Sequence, residues 1–320
     1  MNKLGHSDQP LVSIIIPCYN SAAYVAEAIE SALAQTYPHC EVVVINDGSQ
    51  DSSGEEIERY LGRVSYIQTE NLGACHARNL GLKAANGERV QWLDADDVLR
   101  PHCVESKLTM SSGNTHCGNH IVPICDVAAM PGGTLPAIWN QPRYDLFKGL
   151  AYGTPPTPAP LHYKADLLAV GGFREGLPCA QEFDLHLRLL AKRKCEFIST
   201  GEVGVDIRTH DNNLSQRAGV KMHYTVLSIL ERIQADHFLC EKHKSAIAHH
   251  RIRTSQQLWR KGHKPEAQAI YREALTALPR GLQPHYFANA EGWLLKAIGL
   301  DKSEALRGFI APLVKPLLTR

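Results

Sequence analysis

The chain has 320 residues, enough for two or three domains with cores of their own. With 44% hydrophobic and 21% charged residues it is neither a fibrous nor a generally disordered protein. The net charge of +1 hides an asymmetry: 15 acidic against 8 basic residues over 1–110, then 6 against 14 over 241–320. An acidic front suits a metal site, and a basic tail suits solvent, an anionic partner or a membrane surface.

Leu11–Ile16 is a continuous apolar, β-branched run that stops at Pro17, the pattern of a strand buried on both faces. A helix is predicted over about Ser21–Gln35, with Asn20 and Ser21 as capping residues and Tyr24, Val25, Ala28, Ile29, Ala32 and Leu33 on one stripe. Val42–Ile45 and Val64–Gln68 read as strands, Gly73–Ala85 as a second long helix, and Arg89–Leu93 as a fourth strand. This β-α-β-α-β order predicts an α/β fold, a doubly wound and mostly parallel sheet with helices on both faces.

Residues 111–160 are rich in Gly, Pro, Ser, Thr and Asn and read as irregular, the run from Thr154 to Pro160 as an extended loop. A helix resumes at Glu182–Lys192, and from about Lys221 the pattern is helical to the end. Boundaries near 110 and 222 divide the chain into two α/β segments, 1–110 and 111–222, and an all-helical extension (223–320). In the extension, Gly262, Ala267, Tyr271, Ala274, Leu275 and Pro279 fall at the spacing of one tetratricopeptide hairpin, an ordinary helical hairpin being the even alternative.

The nine cysteines are scattered without a CxxC pair, no secretory leader is read, and no apolar run nears the ~20 residues of a membrane span. Reduced thiols and a cytoplasmic protein are expected, with the basic tail available for peripheral membrane or protein contact.

Open α/β sheets bind ligands beyond the carboxyl ends of their strands. There this chain places Pro17-Cys18-Tyr19-Asn20, Asn46-Asp47-Gly48-Ser49-Gln50-Asp51 and Asp94-Ala95-Asp96-Asp97. Crowded carboxylates repel one another unless a cation or donor groups compensate. Asp94-x-Asp96, by itself more often a turn, becomes in that position a candidate holder for Mg²⁺ or Mn²⁺, with diphosphate oxygens and water completing the shell. Glu182 is expected in the first turn of its helix, where the macrodipole favours a charged carboxylate ready to take a proton. Asp184 points elsewhere and is read as structural. His116, Cys117, His120 and Cys125 match no tetrahedral zinc framework, and Cys75 and His76 read as facing core or solvent.

Seven blocks carry a resemblance: Pro17-x-Tyr19-Asn20; Val44-x-Asn46-Asp47-Gly48-Ser49-x-Asp51-x-Ser53; Asn71-x-Gly73-x-x-x-Ala77-Arg78-Asn79-x-Gly81; Leu93-Asp94-Ala95-Asp96-Asp97; Gly171-Gly172-Phe173-Arg174-Glu175; Gln181-Glu182-Phe183-Asp184-Leu185-x-Leu187-Arg188-Leu189; and Arg208-x-His210-x-x-Asn213-x-Ser215. In this order they make residues 11 to about 215 resemble a family 2 glycosyltransferase of the GT-A fold.

The resemblance implies an inverting transfer from a nucleotide-sugar donor, expected to be a UDP-sugar, to a hydroxyl of a glycan or lipid-linked saccharide, with no nucleic-acid partner. It implies that Pro17, Tyr19, Asn20, Asp47, Arg78, Asp94 and Ala95 bind the donor. Tyr19 would pack on the base, Asp47 hydrogen-bond it, Arg78 lie near base or diphosphate, and Asp94 contact the ribose. Asp96 and His210 would ligate the metal, and Glu182 would deprotonate the acceptor. The family more often has Asp at that position, after an acidic residue; here Glu182 follows Gln181. The alternatives are a nucleotidyltransferase, whose Gly-rich triphosphate signature is missing after the first strand, and a degenerate transferase body acting as an interaction module.

Overall fold

Ile14, Ile15 and Ile16 are fully buried, as a strand covered on both faces requires, and they lie at the centre of β1 (Val12–Cys18). In the computed structural model, which describes residues 9–111, 120–130, 135, 137–209, 218–237, 239–277, 300 and 303, β1 pairs in parallel with β2 (Cys40–Asp47) and β4 (Arg89–Trp92). β3 (Ser65–Thr69) adds in parallel to β2, and β8 (Leu161–Tyr163) runs antiparallel to β4, giving the five-stranded order β3-β2-β1-β4-β8.

Parallel neighbours need crossover connections, supplied by α1 (Val25–Leu33), α2 (Ser53–Glu58) and α3 (Ala74–Ala84). The α3 crossover is tight. A Cβ on Gly81 would lie 2.3 Å from the Ile15 side chain, so only glycine lets this helix approach the sheet. The predicted α/β fold with a mostly parallel sheet is thus the observed one.

A second sheet, β5-β9-β6, is built from β5 (Val98–Leu99), β9 (Glu196–Ile207) and β6 (Ile121–Ala129), with β7 (Arg143–Tyr144) also on β9. α4 (Cys103–Ser111) packs on β6 and β9. The reading of 111–160 as irregular is corrected here: it holds β6, a short 3-10 helix (Ala137–Asn140), β7 and α5 (Leu146–Tyr152). Composition misled because Gly, Pro and Ser outside β6 diluted the apolar run Ile121-Val122-Pro123-Ile124.

The run from Thr154 to Pro160 is without regular structure, as expected, yet it is buried throughout. Four of its residues are prolines with no N–H to satisfy. Its carbonyls find donors: Pro158 O accepts from Gln91 Nε2 at 2.7 Å and Ala159 O from Cys125 N at 3.1 Å. The remaining helices of this part are α6 (Lys164–Ala169) and α7 (Gln181–Lys192).

The chain divides into two compact units, Met1–Gly149 with Gly153–Arg217, and Leu150–Tyr152 with Ala218–Arg320. The second contains α8 (Gly219–Asp236), α9 (Glu241–Arg260) and α10 (Lys264–Ala277). Gly262, at φ +92°, makes the turn between α9 and α10, and Ile252, Leu258, Ala267, Tyr271 and Ala274 form the buried seam of that hairpin. The hairpin itself is therefore present; Pro279 of the repeat-like spacing lies outside the described residues.

Candidate active site

Register places the three loops together. Cys18 is opposite Asn46, Asp47 is opposite Thr69, and Ile15 is opposite Trp92, so the residues after β1, β2 and β4 emerge at one carboxyl edge. The first two loops are laced to each other: Asn20 Oδ1 accepts from Gln50 N at 2.8 Å, Ser49 Oγ from Asn20 N at 3.0 Å, Ser53 Oγ from Ser21 N at 2.8 Å, and Asp51 Oδ2 from Ala22 N at 3.1 Å. These bonds take up Asn20 and Ser21, so α1 begins at Val25 rather than near Ser21. Pro17 is half-buried and Tyr19, at 46% exposure, presents its ring to solvent.

Asp47 is buried at 3% exposure, its Oδ1 accepting from Leu72 N and its Oδ2 from Gly73 N, both at 2.9 Å. Each oxygen keeps a further lone pair for an incoming N–H. Gly48 beside it sits at φ +68° with room for no side chain, since a Cβ would lie 2.6 Å from Asn71 N.

The third loop is a turn closed by Asp97 N to Asp94 O at 3.0 Å. Ala95 is buried and Asp96 half-buried. Asp97 is buried and its carboxyl is pushed well above the usual range, first by burial and then by the charges of Asp94 and Asp96, against the opposing Arg208. Arg208 spans this edge: its N–H reaches Asp97 Oδ1 at 3.0 Å, Nε reaches Asp96 O at 3.1 Å, Nη2 reaches Glu27 Oε2 at 2.6 Å, and its guanidinium lies over Tyr24.

Arg78 is buried rather than on the surface. Nη2 donates to Asp94 Oδ1 at 2.6 Å and Nη1 to Gln181 Oε1 at 2.8 Å, with the guanidinium 5.1 Å from the Phe173 ring centroid. Burial works against its charge, and the Asp94 carboxylate more than offsets that, holding the group above its usual value.

Glu182 follows Gln181 in the first turn of α7, after Ala180 in the left-handed region at φ +53°. It is half-buried, and burial pushes its carboxyl upward; its own backbone N–H and Arg78 oppose the rise, and Asp94 adds to it. The helix start was expected to favour the charged form, but desolvation wins. Asp184, two residues on, is fully buried and salt-bridged to Arg188 at 2.6 Å and Arg174 at 3.2 Å, as its structural reading anticipated.

His210 lies outside the described residues, so its placement against the acidic loop is not described. Among the described residues no group of three or more His, Cys, Asp or Glu side chains converges as a metal cage. Two acidic loop positions that leave most of the shell open suit a hard dication completed by diphosphate oxygens. Of the residues weighed for zinc, His120 pairs with Asp166 and Cys125 lies against Cys103, while His116 and Cys117 fall outside the described residues.

Gln181, Phe173, Arg208 and Asp97 stood in the resembling blocks without an assigned role. Their part depends on contacts across 94 to 181 residues of chain, which no local pattern encodes.

A mostly parallel sheet bearing these loops at its carboxyl edge is a GT-A-like α/β fold. Residues 13–159 match the model of glycosyl transferase family 2. A glycosyltransferase of Rickettsia typhi is 33% identical over 226 residues, 65% of this chain and 67% of the relative. The chain belongs to glycosyltransferase family 2. It spans less of other relatives, such as 31% of the length of a Rickettsia felis glycosyltransferase that is 35% identical over 193 residues.

Among solved structures, S. aureus TarS 1–349 in complex with UDP-GlcNAc superposes with a TM-score of 0.67 at 19% identity, covering 92% of this chain and 89% of that one. The mannosyltransferase PcManGT of Pyrobaculum calidifontis, in complex with GDP-Man and Mn²⁺, superposes at 0.58 and 18%, covering 94% and 87%. At these identities the shared fold is what the superpositions establish. Among the described residues no helix is long and apolar enough to cross a membrane.

Proposed function

We propose that this chain is an inverting glycosyltransferase that moves a sugar from a nucleoside-diphosphate donor, a UDP-sugar, to a hydroxyl of a glycan or lipid-linked saccharide. The observation that carries the reading is the convergence of the Tyr19, Asp47 and Asp94 loops on one sheet edge, with Arg78 and Gln181 bringing the Glu182 helix to the same edge. Complexes of similarly folded proteins with UDP-GlcNAc and with GDP-Man and Mn²⁺ support the class of donor and the divalent ion.

In this reading the exposed Tyr19 ring offers a face to the base, Asp47 an acceptor already oriented by two backbone N–H groups, and Asp94 an acceptor for the ribose. Pro17, Asn20 and Ala95 shape the loops around them. Asp96 and His210 would hold Mg²⁺ or Mn²⁺, which when bound supplies positive charge to the leaving diphosphate. Glu182 takes the proton of the acceptor hydroxyl as it attacks the anomeric carbon. Burial suits it to that task by raising its proton affinity toward working pH.

Turnover of UDP-sugars in Mn²⁺ tests the roles: Asp96→Ala and Glu182→Gln are each expected to lose about a hundredfold or more. Full turnover in both variants would remove the assignments. Calorimetric titration with UDP separates enzyme from scaffold, because an enzyme of this kind must bind the nucleotide with Mn²⁺ and lose it with chelator, whereas an interaction module need not bind it at all.

A further inference from the structure

We infer that Arg78 is a positioning residue, clamping the donor-side carboxylate of Asp94 to the first turn of the base helix through Gln181 and thereby fixing where Glu182 stands. The inference rests on the transfer reaction proposed above, and it differs from the resemblance, which sets Arg78 at the base or diphosphate.

The geometry encloses the guanidinium. Its side chain is 9% exposed, its two terminal nitrogens are committed to Asp94 and Gln181, and one face rests on Phe173. Phe173 is itself fixed, its N–H donating to Asn79 Oδ1 at 2.8 Å and its carbonyl accepting from Asn79 Nδ2 at 2.8 Å, while Trp92 meets its ring edge-on. The Arg78 Nε, buried and without a hydrogen-bond partner among the described residues, is enclosed with the terminal nitrogens, so burial and not a full set of bonds keeps the fork from a phosphate.

Gln181 is equally constrained. Its Nε2 donates to Leu177 O at 3.0 Å, so the amide can present only its oxygen to Arg78. Arg78 and Asp94 balance one another, and a neutral amide as second anchor adds no negative charge beside Glu182. A planar fork is the side chain that can hold two acceptors at fixed separation, and a lysine ammonium is not. Because Glu182 directly follows Gln181, release of the clamp displaces the base, and displacements near 1 Å at a reacting group cost about a hundredfold.

The experiment compares Arg78→Lys and Gln181→Leu in the full chain, the second leaving Arg78 and Asp94 untouched. Three readouts are taken: UDP affinity in Mn²⁺, hydrolysis of the best-used donor among UDP-glucose, UDP-galactose and UDP-N-acetylglucosamine, and hydrogen exchange of residues 177–184. A clamp predicts UDP affinity within about threefold of the parent, kcat lower by about tenfold or more with KM little changed, and faster exchange over 177–184 in both variants. The double variant should be no slower than Arg78→Lys alone, since both changes break one unit.

A tenfold loss of UDP affinity in Arg78→Lys with Gln181→Leu indistinguishable from the parent would overturn the clamp and make Arg78 a diphosphate ligand. Unchanged exchange over 177–184 in both variants would overturn it as well. A parent that binds no UDP, yet shows the exchange response in both variants, would defeat the proposed reaction and leave the clamp standing.

Discussion

A carboxyl group at the start of a helix is pulled two ways: the macrodipole and free N–H groups favour its charge, and removal from water disfavours it. At Glu182 the second influence is the stronger. A base must be deprotonated to act, so the acid limb of the rate profile is expected above the ordinary glutamate value of about 4.3. Measured kcat/KM across pH checks this, and a half-point at or below that value would count against Glu182 as the base. Stability follows the same linkage with its own sign. The folded state holds the proton to higher pH than the unfolded chain, so a cost to folding develops as pH rises from the unfolded value through the folded one. Glu182→Gln should therefore melt no lower than the parent at pH 8, with any advantage shrinking toward pH 4. Gly48 supplies a purely steric case: Gly48→Ala forces a Cβ onto Asn71 N at a positive φ, and a loss of roughly 1–3 kcal/mol is expected in denaturant melts.

At the scale of elements, α7 carries two neighbouring acids with opposite fates. Glu182 stands on the side of Arg78 and Asp94, whereas Asp184 turns inward between Arg188 and Arg174. Asp184→Ala would leave Arg188 buried without its carboxylate, at a cost of about 3–5 kcal/mol. A fall in melting temperature of roughly 10 °C should follow, with Mn²⁺-dependent UDP affinity unchanged wherever the variant remains folded; a lost affinity with unchanged stability would reverse the roles of the two acids. Sequence periodicity separated these residues correctly because α7 is long and regularly patterned. It failed at β6, which pairs with β9 far along the chain, and it gave the irregular backbone of the Thr154–Pro160 run without its burial, where distant Gln91 supplies a donor.

For the whole molecule, ligand binding should be felt first where the loops converge. Adding UDP with Mn²⁺ is expected to slow amide exchange over 19–22, 47–53 and 94–97; uniform protection, or none, would argue against a site at that edge. The order of β1 to β4, their parallel pairing and the gathering of three polar loops were legible in the sequence alone, because buried parallel strands announce themselves as continuous apolar runs and the chain must turn at their ends. The second sheet, the reversal of the expected charge preference at Glu182 and the Asp94–Arg78–Gln181 chain of contacts were decided only by tertiary structure. Each depends on which distant groups share a desolvated space, and desolvation and pairing are properties of that space rather than of any stretch of residues.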